Sequence, residues 1–220
     1  MKLVKLLILF SILLSCTLPL QAQFNINTNP FWEGEIKMED GTIHKGHIQV
    51  PNNTSQKKVV YKTSLKGETL KVKRKKIDYV QVTSNTGKAY RYENIPVVMT
   101  IKGNSSLGTQ LLLVEAKNNY ATFYIVHGVY KVNKKEGEIE LLYRFRYGKD
   151  FPVTSHYIRK RNQKKARQFA VTKDLKGIKK AANYHLTEDE ALLEKINAGD
   201  LTEDDITEII TIYLKTTENL

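Results

Sequence analysis

Between Phe31 and about Arg159 the chain is cut into short apolar runs by turn residues, and this rhythm constrains the fold more than any other feature. Glu35-Ile36-Lys37-Met38-Glu39 alternates, Asp40-Gly41 is a two-residue hairpin signal, and Thr42-Ile43 begins the return. Val59-Val60-Tyr61 is closed by Lys66-Gly67. Residues 70–73 and 77–82 follow, the latter facing 90–92 across a loop ending in Thr86-Gly87. Pro96 marks a sub-boundary before residues 97–101. Segments 111–116 and 120–126 are apolar on both faces, which predicts strands in the middle of the architecture, covered on both sides. The pattern predicts a mainly β fold of antiparallel sheets, sandwich- or barrel-like, over residues 23–160.

After Arg159 the texture changes. Residues 159–165 are a charge run that reads as a turn or exposed link, so 161–220 is expected to be a basic link and a small helical tail. Leu175, Ile178 and Ala182 have helical spacing, with Thr172 placed to cap. Leu186-Thr187-Glu188-Asp189-Glu190 and Leu201-Thr202-Glu203-Asp204-Asp205 repeat one phrase, each predicting Thr at the N-cap and an acid three residues on. Gly199 should end the first of these helices, and Ile206, Ile209, Ile210 and Tyr213 should line the second.

The first 22 residues read as a secretory signal peptide. Lys2 and Lys5 precede an apolar run over 6–14, and Pro19 and the small Ala22 precede Gln23. The run is shorter than the ~20 residues a membrane span needs, so no transmembrane helix is expected in the mature chain. An alternative cleavage before Cys16 would make a lipoprotein. Cleavage after Ala22 leaves no cysteine, which excludes disulfides, thiolate catalysis and Cys-ligated zinc. The expected location is periplasmic or extracellular.

Charge is unevenly distributed. The net charge is +12, yet residues 183–220 hold ten acids against Lys195 and Lys215. Residues 142–182 hold thirteen Lys or Arg against Asp150 and Asp174. Within that stretch Arg159, Lys160, Arg161, Lys164, Lys165 and Arg167 are candidate contacts to an anionic surface. Outside the cytoplasm, anionic envelope lipids or glycans are the partners such a run would meet. Nucleic acid is not expected. Tyr143, Phe145 and Tyr147 alternate with Arg144 and Arg146, so period two puts rings and guanidiniums on opposite faces instead of building a stacking surface.

No stretch carries the signature of a cofactor, a metal or a catalytic centre. His44 and His47 should both point outward if a bulge at Lys45-Gly46 lets Ile43, Ile48 and Val50 face the core. Two imidazoles still fall short of the three or four ligands zinc requires. Residues 103–109 approach a phosphate-binding loop, but Thr109 stands where its lysine belongs. Residues 197–208 place Gly199, Leu201 and Thr202 where a calcium loop needs oxygen ligands and glycine. His127, His156 and His185 are present without a Gly-x-Ser-x-Gly elbow, and a glycosidase pair of carboxylates leaves no local signature in a sequence. The expected function is therefore a non-enzymatic binding or structural protein of the cell envelope, with a hydrolase of an envelope polymer or glycan as the alternative.

Gly34-Glu35-Ile36, Asp40-Gly41 and Gly46-His47-Ile48 form a Gly-x-Ile…Asp-Gly…Gly-x-Ile hairpin. The tail adds Tyr184, Leu193, Lys195-Ile196, Asp205-Ile206, Ile209-Ile210 and Tyr213. This combination resembles uncharacterised secreted proteins of Bacteroidota. The resemblance implies an exported or envelope location and no known activity. Such proteins often carry cysteines in the tail, where His185 and Leu186 stand here.

Overall fold

The computed structural model describes residues 29–126, 129–133, 135–142, 155–171 and 175–220. The expected leader with Cys16, His127, the aromatic–arginine alternation at 143–147 and the cap expected at Thr172 lie outside them. The architecture is mainly β, with a barrel-like sheet and a small C-terminal helical segment. Ten strands form one sheet: β1 (Phe31–Met38), β2 (Ile43–Gln49), β3 (Lys58–Lys62), β4 (Leu70–Lys73), β5 (Ile77–Thr83), β6 (Ala89–Val98), β7 (Ser106–Lys117), β8 (Ala121–Val126), β11 (Ser155–Lys160) and β12 (Ala166–Val171). Their order is β12-β11-β8-β7-β6-β5-β1-β2-β3-β4. A separate hairpin joins β9 (Val129–Asn133) to β10 (Glu138–Leu142).

One end of the sheet closes on itself. β12 pairs with β11 on one side and, in parallel, with β6 through Ala166↔Val97 and Arg167↔Val98. Five strands therefore form a ring, and each sends apolar side chains into its interior: Ile95 and Val97, Leu112, Tyr124, Tyr157, and Ala166. Among the described residues the other end stops at β4, with no strand paired beyond it. The sheet runs through Pro96, which the sequence suggests as a sub-boundary. β5 has already ended its pairing at Glu93, and β12 joins only at Val97, so a residue without an N–H fits between them. The sheet also runs past residue 160, because β12 lies within the segment expected to be a link.

The first hairpin forms where expected. Gly41 takes φ 88° in the turn, and Thr42 N–H donates to the Asp40 carboxylate at 2.9 Å. Its register is unbroken from Phe31↔Gln49 to Lys37↔Ile43, so the bulge expected at Lys45-Gly46 does not occur. Ile43 consequently faces solvent, 48% exposed, and His44 shares the inner face with Ile48. Gly34 and Gly46 stand directly opposite each other. A Cβ on Gly34 would run into the Gln81 carbonyl, and one on Gly46 into the Lys62 carbonyl. The neighbouring strands approach closer than any side chain permits, which lets the sheet curl there.

Both faces of β7 and β8 are covered, as their sequences suggest. Leu111 and Leu113 join one cluster with Ile36, Ile48 and Tyr92, while Leu112 enters the ring. Phe123 packs outward with Ile158 and Phe169 against the helical tail. The tail consists of α1 (Leu175–His185), α2 (Glu190–Ala198) and α3 (Ile206–Thr216). Ile178, Leu192, Ile196, Ile209, Ile210 and Tyr213 are all buried in that contact. Thr202 caps its turn in a reciprocal box with Asp205. The α2 cap is Asp189 instead of Thr187, its carboxylate accepting from Leu192 N–H at 3.0 Å, and Gly199 ends that helix at φ 97°. No helix among the described residues is long and apolar enough to cross a membrane.

Candidate functional site: a basic cradle at the free edge

Alternation dictates the edge hairpin. Val59 and Tyr61 on β3 are buried, and Leu70 and Val72 on β4 pack against the same cluster, which sends the intervening residues of each strand outward. The register pairs Lys58 with Lys73 and Val60 with Lys71. Lys58 and Lys73 thus stand directly opposite, with Cβ atoms about 5 Å apart, a like-charge pair that costs stability.

A 3₁₀ turn over Arg74–Lys76 follows β4, and its position is fixed by backbone contacts. Arg74 N–H donates to the Lys57 carbonyl at 2.9 Å. Asn94 Nδ2 donates to the carbonyls of Arg74 and Ile77 at 2.9 and 2.8 Å. The Arg74 side chain turns back toward β7, where Nη1 donates to the Thr109 carbonyl. Burial lowers the guanidinium pKa without removing its charge, and Nε is buried without a partner. Lys57, Lys58, Lys73, Arg74 and Lys75 together line a cavity of about 320 Å³. None of the ion pairs among the described residues involves any of these five. Sequence reading passed over this cluster, although residues 57–76 hold nine Lys and Arg against Glu68 alone.

Four of the six cations singled out from sequence are engaged within the protein. Arg159 points into the mouth of the ring, where Nη2 donates to Glu93 at 2.6 Å; Glu93 also accepts from the Tyr124 hydroxyl at 2.7 Å and from Arg91 Nε at 3.2 Å. Lys160 donates to both Glu188 oxygens at 2.7 and 2.8 Å. Arg161 donates to the Leu220 carbonyl at 3.0 Å, and Arg167 to the Gly103 carbonyl at 2.8 Å. Lys164 and Lys165 are exposed in the β11–β12 turn.

Glu188 is the most heavily donated carboxylate of the tail. Besides Lys160 it accepts from the Tyr120 hydroxyl at 2.6 Å and the Tyr213 hydroxyl at 2.8 Å. Burial would raise its pKa, but these donors outweigh burial and hold it at about 2. Burial and the same carboxylate push Tyr120 up to about 12. The group is a clamp between β-sheet and tail.

The histidines are dispersed. His44 Nδ1 lies 3.4 Å from the Tyr61 hydroxyl on the inner face, while His47 is on the opposite face of β2. His156 Nδ1 is 2.8 Å from the Glu115 carboxylate. His185 donates from Nε2 to the Gln168 carbonyl at 3.1 Å, and burial lowers it to about 4. Among the described residues no three His, Cys, Asp or Glu side chains converge as a metal would require. Residues 103–105 lead into β7 and 106–109 are its first residues, with Arg167 bound to the Gly103 carbonyl. No known family matches the chain, and no curated protein or solved structure is significantly similar to it.

Proposed function

We propose that this chain is an exported, non-enzymatic binding protein of the cell envelope, and that the basic cradle docks it on an anionic lipid surface. The observation that carries the reading is the direct opposition of Lys58 and Lys73, with Lys57, Arg74 and Lys75 around the same cavity and no acid lining it. A bound anion offsets the repulsion that the register imposes. Anionic headgroups attract such cations by about 1 kcal/mol each within a Debye length. Leu65, 63% exposed between Lys62 and Lys66, lies in the turn at the other end of the same hairpin and takes no part in the cradle. Export rests on the leader-like first 22 residues, in keeping with the resemblance to secreted Bacteroidota proteins.

The hydrolase alternative draws less support. Glu93 and Glu188 are held by guanidinium, ammonium and phenol donors, and a carboxyl at about 2 carries no proton to donate near neutral pH.

Co-sedimentation with phosphatidylglycerol vesicles tests the reading. The mature chain should pellet with them at low salt, be released as salt rises, and ignore phosphatidylcholine vesicles. Failure to pellet at low salt, or equal pelleting with both lipids, would overturn it.

A further inference from the structure

Resting on that reading, we infer that the cradle recognises a phosphate monoester, a group with about two negative charges at neutral pH and three terminal oxygens. Three observations converge on this class. Lys58 and Lys73 face each other across one sheet pair, so one small anion between them meets two ammonium groups. A diester, with a single charge, neutralises one; a monoester neutralises both. Arg74 is pinned by its backbone and by Nη1 to the Thr109 carbonyl, while its buried Nε has no partner. A guanidinium anchored through Nη1 keeps its charge and still has Nη2 to donate to a phosphate oxygen. An open cavity of about 320 Å³ lies among Lys57, Lys58, Lys73, Arg74 and Lys75, its wall made mostly of their aliphatic stems, which leaves the charged ends at its mouth.

Lysines on a free edge strand also discourage edge-to-edge aggregation, and that alone would account for Lys71 and Lys73. It leaves Lys57, Arg74 and Lys75 unexplained, because they lie outside β3 and β4. All three adjoin the same cavity as Lys58 and Lys73, which puts five cations around one opening.

The test compares phosphatidic acid with phosphatidylglycerol vesicles at matched surface potential, with inorganic pyrophosphate and sulfate as soluble competitors. The mature chain should bind phosphatidic acid at least about fivefold more tightly. Pyrophosphate should displace it where sulfate of equal ionic strength does not, which would mean that the cradle takes the free group as well as the lipid. The preference should vanish in K58S/K73S, with the circular dichroism spectrum unchanged. Arg74→Lys, which keeps the charge and loses the fork, should cut the preference by half or more. Equal binding to the two lipids would overturn monoester recognition and leave the anionic-surface reading standing. Binding to neither would remove both. A preference that survives in K58S/K73S would show that the phosphate is held elsewhere.

Discussion

Lys160 Nζ lies 2.7 and 2.8 Å from the two carboxylate oxygens of Glu188, joining the last residue of β11 to the loop before α2. With the Tyr120 and Tyr213 hydroxyls on the same carboxylate, this is the polar clamp that orients the tail on the sheet. Glu188 is held at about 2 against an ordinary 4.5, so its stabilisation is fully present above pH 4.5 and is lost as pH falls toward 2. Glu188→Gln should cost about 1–3 kcal/mol at pH 7 and flatten that part of the stability profile. Urea midpoints between pH 5 and 2.5 (roughly the window set by the shift) check it; a variant as steep as the wild type would contradict the clamp.

His185 predicts a second, earlier acid transition. It is 1% exposed, and burial lowers its pKa to about 4 from 6.5, so the unfolded chain binds the proton first. Stability should be complete above pH 6.5 and should decline through pH 4, by on the order of 3 kcal/mol in total. NMR titration of the imidazole gives the value directly. A midpoint near 6.5 would mean that the ring is hydrated and the tail looser than described.

Apolar packing carries most of the tail's attachment. Leu192 is buried in the contact with Phe123 and Phe169, whereas Leu193 is only half-buried at its rim. Leu192→Ala should cost about 2–5 kcal/mol and Leu193→Ala less. Chemical denaturation of both variants tests the order, and a reversal would place the wrong face against the sheet.

Gly34 is irreplaceable for a steric reason. A Cβ there meets the Gln81 backbone carbonyl, which cannot move without breaking the β1–β5 ladder. Gly34→Ala should cost about 1–3 kcal/mol or more, well beyond an exposed surface substitution such as Lys164→Ala. A thermal scan of G34A against K164A checks it, and equal midpoints for the two variants would contradict the steric account.

Much of the fold can be read from the residues, and the exceptions have physical causes. Asp40-Gly41 forms the hairpin, the doubly apolar runs become the central β7 and β8, and Thr202 caps its turn. The face of Ile43 is misread because parity assumes that every strand position bears a side chain, whereas Gly34 and Gly46 let the sheet curl without a bulge. β12 is hidden for the opposite reason. Its register slips against β11 so that Phe169 is the extra residue, and Ala166 enters the ring while Phe169 and Ala170 pack outside. Period two is broken within six residues. The cradle depends on register as well: charge counts can flag residues 57–76, but only strand pairing puts Lys58 opposite Lys73.

The most direct test reverses equal charge at two sites. K58E/K73E alters the cradle, and K164E/K165E alters the exposed β11–β12 turn, with the same change in net charge. If the cradle docks the protein, affinity for phosphatidylglycerol vesicles at low salt should fall at least about tenfold in the first variant and less than about threefold in the second. Equal losses would reduce the effect to overall charge, and a larger loss in K164E/K165E would move the binding surface to the β11–β12 turn and contradict the account.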